Sequence, residues 1–299
     1  MSIRIATAPV SWGIIEFAGQ SAQGSWVSVL DEMVSAGYSG TELGPYGFLP
    51  TEPDVLKAAL VARGLQLLSA FVPVRLADRS AQAAGLATAR QVGALLAACD
   101  CKHIVLSDDN AADPRRLARA GRITPADGLD DAGWRALADG VHTIAHHTKE
   151  EFGLETVFHH HSAGFVETPA EVARLLELTD PATVGLCLDT GHYAYGGGDP
   201  VECIRQHGSR VRYLHLKDVD PAVAGRARSE GLDYFQAVAA GVFCELGRGC
   251  VDFPGVIAAM NALNYNGWAV VEQDILAGMA GTPLESAHRN REYLKGLGL

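Results

Sequence analysis

No stretch of the 299-residue chain concentrates positive charge: 24 Lys and Arg against 35 Asp and Glu leave a formal net charge of −11, and the cations are scattered. A nucleic-acid backbone is bound by clustered Lys and Arg, so a nucleic-acid partner is not expected. No uninterrupted apolar run approaches the about 20 residues that a membrane span requires, which argues against a membrane partner. The opening MSIRIATAPVSWG lacks a basic leader ahead of a sustained apolar segment, and a cytoplasmic location is the expectation. Cysteine is sparse: Cys99, Cys101, Cys187, Cys203, Cys244 and Cys250 are dispersed, show no CxxC spacing and mostly sit in apolar surroundings. Free cysteine there behaves as a small hydrophobe, so neither a disulfide framework nor a cysteine-built zinc site is expected.

What is present is a repeat. Short apolar β-prone runs (RIATAPV, GTEL, LQLLSAF, CKHIVLS, LETVFHHH, VGLCLDT, VRYLHLKD, GWAVVEQD) alternate with helical stretches starting near Trp26, Pro53, Ala81, Asp130, Thr168, Pro200 and Asp252, and another follows Thr282. Strands that alternate with crossover helices run parallel and are buried on both faces. Eight such units predict an α/β fold of the (β/α)8 TIM-barrel class in a single domain, with its chemistry at the C-terminal strand ends. A doubly wound open sheet is the rival, but no GxGxxG follows the first run. The GGGDP run at 196–200 lacks the GKS/T ending of a nucleotide loop and reads as a turn, with Asp199 capping a helix that begins at Pro200.

Polar residues collect where the apolar runs stop: Trp12 and Glu16, Glu42, Ser107 and Asp108, His159 and His161, Asp189, His215 and Lys217, and Glu272. A barrel gathers these distant positions around one axis. Side chains alternate along a strand, so His159 shares a face with His161, and His215 with Lys217. Asp189, His215 and Glu272 form a mixed oxygen and nitrogen set suited to Mn²⁺, Co²⁺, Mg²⁺ or Zn²⁺. Without a cation, two partly buried carboxylates repel each other and are costly to desolvate. The plainer readings are that Asp189 caps the turn after its strand, that His215 is a structural histidine, and that Glu272 merely begins a loop. Lys217 is either an acid/base group whose pKa a neighbouring cation depresses or the partner of Asp218 or Glu245. Trp12 either walls a sugar or cyclitol ring or plugs the barrel mouth.

The segments LDTGH, LHLKD and GWAVVEQD resemble the strand ends of the xylose-isomerase-like barrels, a superfamily that includes sugar isomerases and epimerases, endonuclease IV and the inosose dehydratases. The resemblance covers nearly the whole chain. It implies Asp189, His215 and Glu272 as metal ligands and His192 as a substrate contact. GTELGPYGFLP and VFHHHSAGFVETP are similar to the inosose dehydratase branch, where a His-x-His pair ends the fifth strand. His159 stands where many isomerases of the superfamily place a glutamate, which implies His159 as the fourth ligand and removes one of the two opposed bases of an epimerase. The expected activity is therefore a metal-dependent lyase, with Mn²⁺ or Co²⁺ favoured, dehydrating a polyhydroxy ketone such as inosose. His161, Lys217 and Glu42 are its proton-transfer candidates. A sugar isomerase or epimerase, or a barrel that binds sugar without turning it over, is the alternative. A homo-oligomer is allowed.

Two insertions, residues 108–129 and 219–251, follow strand ends and are expected to overhang the site as lids. Their Arg115, Arg116, Arg226, Arg228 and Arg248 offer charge for an anionic substrate or for an acidic surface on a partner subunit, with an ordinary salt-bridged surface role as the plainer reading. ELGRGCVDF is similar to a glycine-containing segment of the family, which singles out Arg248 as a substrate contact.

Overall fold

The computed structural model describes residues 3–15, 24–110, 112–275 and 281–299. Among them, nine strands form one parallel sheet: β1 (Arg4–Thr7), β2 (Gly40–Thr41), β3 (Gln66–Leu67), β4 (Phe71–Val74), β5 (His103–Asp108), β6 (Glu155–His159), β7 (Val184–Asp189), β8 (Val211–Leu216) and, after a small antiparallel pair β9 (Asp218–Val219) and β10 (Phe243–Cys244), β11 (Trp268–Val271). The order is β3-β2-β1-β11-β8-β7-β6-β5-β4. The two ends of that order belong to the single run LQLLSAF. Leu68 N donates to Thr41 O (3.0 Å) on one side, while Val105 N donates to Ala70 O (3.0 Å) on the other, so the ring closes. Eight expected runs thus become nine strands because the third changes neighbours midway.

The helices are α1 (Trp26–Ser35), α2 (Pro53–Val61), α3 (Gln82–Ala98), α4 (Pro114–Arg119), α5 (Asp131–Phe152), α6 (Pro169–Leu178), α7 (Thr190–Tyr195), α8 (Pro200–His207), α9 (Pro221–Glu230), α10 (Tyr234–Ala239), α11 (Phe253–Ala262) and α12 (Pro283–Gly296). Their starts follow local chemistry. Ser25, Asp130, Thr168, Asp199, Asp252 and Thr282 each accept a backbone N–H of the first turn, and Pro stands first in α2, α6, α8 and α12 and second in α11.

Alternation along the strands sorts two cores. Ala6, Val105, Val157, Cys187, Tyr213 and Val270 pack together as the barrel interior. Ile5, Ile104, Phe158, Leu186, Leu214 and Ala269, one residue out of step, pack among the residues that face the helices. Each wholly buried Val, Leu, Ile or Phe contributes about 1.5–3 kcal/mol, so a strand shifted by one residue would forfeit both layers.

The insertions form their own small core above the mouth, in which Ala120, Tyr195, Val219, Ala227, Tyr234, Val238 and Phe243 meet. Arg122 ties them together, donating to Ala227 O (2.8 Å) and Leu232 O (3.0 Å). The other insertion arginines follow the plainer of their two readings. Arg116 is buried in an ion pair with Glu171 (2.8 Å), Arg228 donates to the carbonyls of Gly121 and Tyr195, and Arg115 and Arg226 stay on the outer surface.

Candidate metal centre

The interior parity continues upward into the site. Val157 leads to His159 and His161, Cys187 to Asp189, Tyr213 to His215 and Lys217, and Val270 to Glu272 and Asp274. Register brings Asp189 opposite His215 on adjacent strands. One ligand atom from each of His159, Asp189, His215 and Glu272 lies within 4.8 Å of all the others. All four side chains are buried or nearly so. His215 Nδ1 stands 3.2 Å from Glu272 Oε1 and 4.0 Å from Asp189 Oδ2, and His159 Nε2 is 3.6 Å from the same Asp189 oxygen.

Asp189 caps the turn after its strand and still has an oxygen to spare. Its Oδ1 caps α7 by accepting from His192 N (2.8 Å), while its Oδ2 is buried without a hydrogen-bond partner. His159 Nδ1 and Nε2 and His215 Nδ1 are likewise buried and unpartnered. Buried polar atoms are rarely left in this state, and orphaned donors of both elements converging on one point fit a divalent cation. His215 Nε2 lies 3.0 Å from Glu42 Oε1, which also accepts from Ser69 Oγ (2.8 Å). A carboxylate so placed is what would fix the ring of a metal-binding histidine. Glu42 lines the cavity, yet its bonded oxygen is committed to holding His215.

The cavity above the quartet, about 60 Å³, is lined by Glu42, Phe71, His159, His161, Lys217, Glu272 and Asp274, with Tyr234, Phe235 and Val238 reaching in from α10. Lys217 Nζ meets Asp274 Oδ1 (2.6 Å), Glu272 Oε2 (3.1 Å) and His192 Nε2 (3.2 Å). Burial works to depress this ammonium, but Asp274, Glu272 and Asp189 outweigh it and hold the lysine protonated above its usual range. The partners expected for Lys217 were Asp218 or Glu245. Asp218 instead accepts the backbone N–H groups of Val219, Gly247, Gly249 and Val251, and Glu245 pairs with Arg248 and Arg289. Gly191 makes room for the lysine: a Cβ there would stand 2.6 Å from Lys217 Cγ.

His161 gives its Nδ1 hydrogen to Ser162 O (2.7 Å), a carbonyl that can only accept, so Nε2 carries the lone pair. Burial pushes its pKa down to about 3 and keeps the ring neutral. His192 lies behind Lys217 and is fully buried. With Nε2 accepting from the ammonium, Nδ1 donates to Ser162 Oγ (3.0 Å), and His192 is absent from the cavity lining. The residue expected to contact substrate thus touches Lys217 and Ser162 here.

Trp12 and Arg248, also considered as substrate contacts, do not line the cavity. Trp12 is buried and donates its indole N–H to Glu32 (2.7 Å) on α1, away from the cavity lining. The Arg248 side chain is 67% exposed and pairs with Glu245. Glu16 lies outside the described residues. Two site residues escaped the sequence reading. Asp274 continues the parity of Val270 and Glu272, a signal that was there to follow. Tyr234, which donates to Asp274 Oδ2 (3.3 Å), comes from an insertion with no periodic signal.

A profile described as the xylose isomerase-like TIM barrel matches residues 30–296. The chain is 37% identical to the inosose dehydratase of Geobacillus kaustophilus over 98% of this chain and 94% of that one. It is 32% identical to the inosose dehydratase of Geobacillus thermodenitrificans over 98% and 96%. Among solved structures, the IOLI protein with a bound zinc atom superposes with a TM-score of 0.73 at 14% identity, covering 99% of this chain and 98% of that one.

Proposed function

This chain belongs to the xylose isomerase-like TIM barrel family, and from that premise we propose that it is a metal-dependent dehydratase of cyclitol ketones, with inosose the substrate named by its relatives. The observation that carries the reading is the meeting of four buried donors with one acceptor imidazole and one ammonium in a single cavity. A divalent cation held by His159, Asp189, His215 and Glu272 would supply Lewis acidity, drawing charge from the ketone and acidifying the adjacent C–H. The N₂O₂ donor set favours Mn²⁺ or Co²⁺, with Zn²⁺ and Mg²⁺ as competitors.

The remaining residues divide the proton work. His161, neutral and with its lone pair on Nε2, takes the α-proton. The C–H electron pair becomes the new C=C bond, the β-C–O bond breaks toward oxygen, and the Lys217 ammonium gives that oxygen a proton, so water leaves. One proton taken and one given leave no net demand on solvent. Asp274 and His192 position Lys217, and Glu42 positions His215. An imidazole facing an ammonium is an asymmetric pair, suited to elimination rather than to proton return on the opposite face.

The cavity of about 60 Å³ is well below the roughly 150 Å³ that admits a benzene ring, so part of its wall must yield to admit a cyclitol, and we assign that movement to α10. This gives the 219–251 insertion the part of a lid. The test is direct: metal-stripped and reconstituted protein is given inosose, and the ultraviolet absorbance of a conjugated enol or diketone is followed. Absorbance that appears only with metal supports the reading; mass-conserving interconversion of ketoses, or tight metal retention without turnover, overturns it.

A further inference from the structure

We infer that the barrel holds a second, softer donor set one layer below the quartet: Cys187 with His159 and His215, a site for a thiophilic divalent cation such as Zn²⁺ or Cd²⁺. The inference rests on the quartet being a metal centre and extends it to residues outside that quartet.

Cys187 is fully buried in the barrel interior, two residues before Asp189 on the same inward face and in register opposite His159. One ligand atom from each of His159, Cys187 and His215 lies within 4.8 Å of the other two. The quartet needs only one nitrogen of His159, yet both are buried without a hydrogen bond. Among the described residues, no other cysteine belongs to a group that could hold a metal.

Donor softness separates the two sets. Carboxylates favour Mn²⁺ and Mg²⁺, whereas sulfur favours Zn²⁺ and Cd²⁺. Both sets draw on the same two imidazoles, so they cannot be filled together. A cation captured below breaks the S–H bond as the S–metal bond forms, with the proton leaving to water. It takes His159 and His215 away from the carboxylates, and the centre then discriminates against thiophilic ions by being inhibited by them.

The experiment uses the metal-free full chain. Cd²⁺ is titrated while sulfur-to-cadmium charge-transfer absorbance is recorded, and Mn²⁺ occupancy is followed by electron paramagnetic resonance. The expected result is one charge-transfer band saturating at one Cd²⁺ per chain, displacement of Mn²⁺ one for one, and loss of the band in Cys187→Ser with Cd²⁺ bound at least tenfold more weakly. Cadmium NMR of the wild-type chain, whose shift separates sulfur from all-nitrogen-and-oxygen ligation, gives the same answer if Cys187→Ser does not fold. Cd²⁺ bound without a sulfur signature, or a band that survives in Cys187→Ser, overturns the inference while leaving the quartet intact. Binding of neither Mn²⁺ nor Cd²⁺ overturns the quartet itself.

Discussion

Replacing Asp274 with asparagine takes the negative charge out of the shortest contact of the site's ammonium, leaving a neutral acceptor. Lys217 Nζ lies 2.6 Å from Asp274 Oδ1, and both groups are buried. A buried pair that loses one partner outright is destabilised by about 3–5 kcal/mol. Lys217, however, keeps Glu272 at 3.1 Å and Asp189 at 3.8 Å, so its charge is not stranded. The remaining loss is that of a charged hydrogen bond, about 1.5–3 kcal/mol. If the bond aims the lysine at the departing oxygen only as the C–O bond breaks, the loss appears in kcat, and about 1.4 kcal/mol per decade makes it a fall of about 10- to 150-fold. Tyr234→Phe deletes the 3.3 Å bond to the other Asp274 oxygen, a neutral donor worth about 0.5–1.5 kcal/mol, so kcat should fall about 2- to 10-fold. The assay is steady-state dehydration of inosose by metal-loaded protein, with melting curves confirming that each variant is folded. A folded Asp274→Asn enzyme whose kcat stays within about twofold of wild type refutes the assignment of Lys217 as the acid, and a loss confined to KM makes Asp274 a substrate contact instead.

Binding Mn²⁺ at about 100 times its dissociation constant should stabilise the fold by about 2.7 kcal/mol and raise Tm by several degrees; an unchanged melt would contradict four donors awaiting a cation. Gly191→Ala sets a methyl 2.6 Å from Lys217 Cγ, so dehydration should collapse while the circular dichroism of the fold persists, at a stability cost of about 1–3 kcal/mol. Burial pushes the carboxyls of Asp108 and Glu167 up to about 7. Unfolded carboxyls release their protons near pH 4 while the native ones hold them, so stability present at low pH is lost as pH rises through about 7. Glu167→Gln should lower Tm throughout, because one amide oxygen cannot accept from both Gly121 N and Ala163 N, and should flatten the decline between pH 5 and 7 seen in scanning calorimetry of the wild type. Arg248→Ala, at an exposed position paired only with Glu245 at the surface, should leave kcat/KM within about twofold, and a larger drop would return Arg248 to the substrate.

Local rules made much of this molecule readable in advance. Helix starts at Asp130, Thr168, Asp199, Asp252 and Thr282 are short-range chemistry, and the structure has them where the capping residues stand. Alternation likewise grouped His159 with His161 and His215 with Lys217 before any contact was known. The expected quartet His159, Asp189, His215 and Glu272 does meet; what was not legible was which single side chains are claimed by partners elsewhere in the fold. Trp12 stands at a strand end like the other site residues, but its indole is claimed by Glu32 twenty positions away. The insertion arginines looked like a source of charge for substrate, yet carbonyls and Glu171 consume those that turn inward.

Sequence alone determined the alternation of elements, the caps and the face on which each polar strand end projects, because a residue's dihedral preferences and the two-residue period act over a few positions. Tertiary structure alone decided which of those ends meet. Pairing of β11 with β8 brings Asp274 to Lys217, pairing of β7 with β6 and β8 sets Cys187 beneath the quartet, and the closed ring brings Glu42 across to His215; no local signal encodes which strands become neighbours or what lies across the ring. A residue read as a small apolar filler therefore became a candidate ligand only when the barrel set it opposite His159.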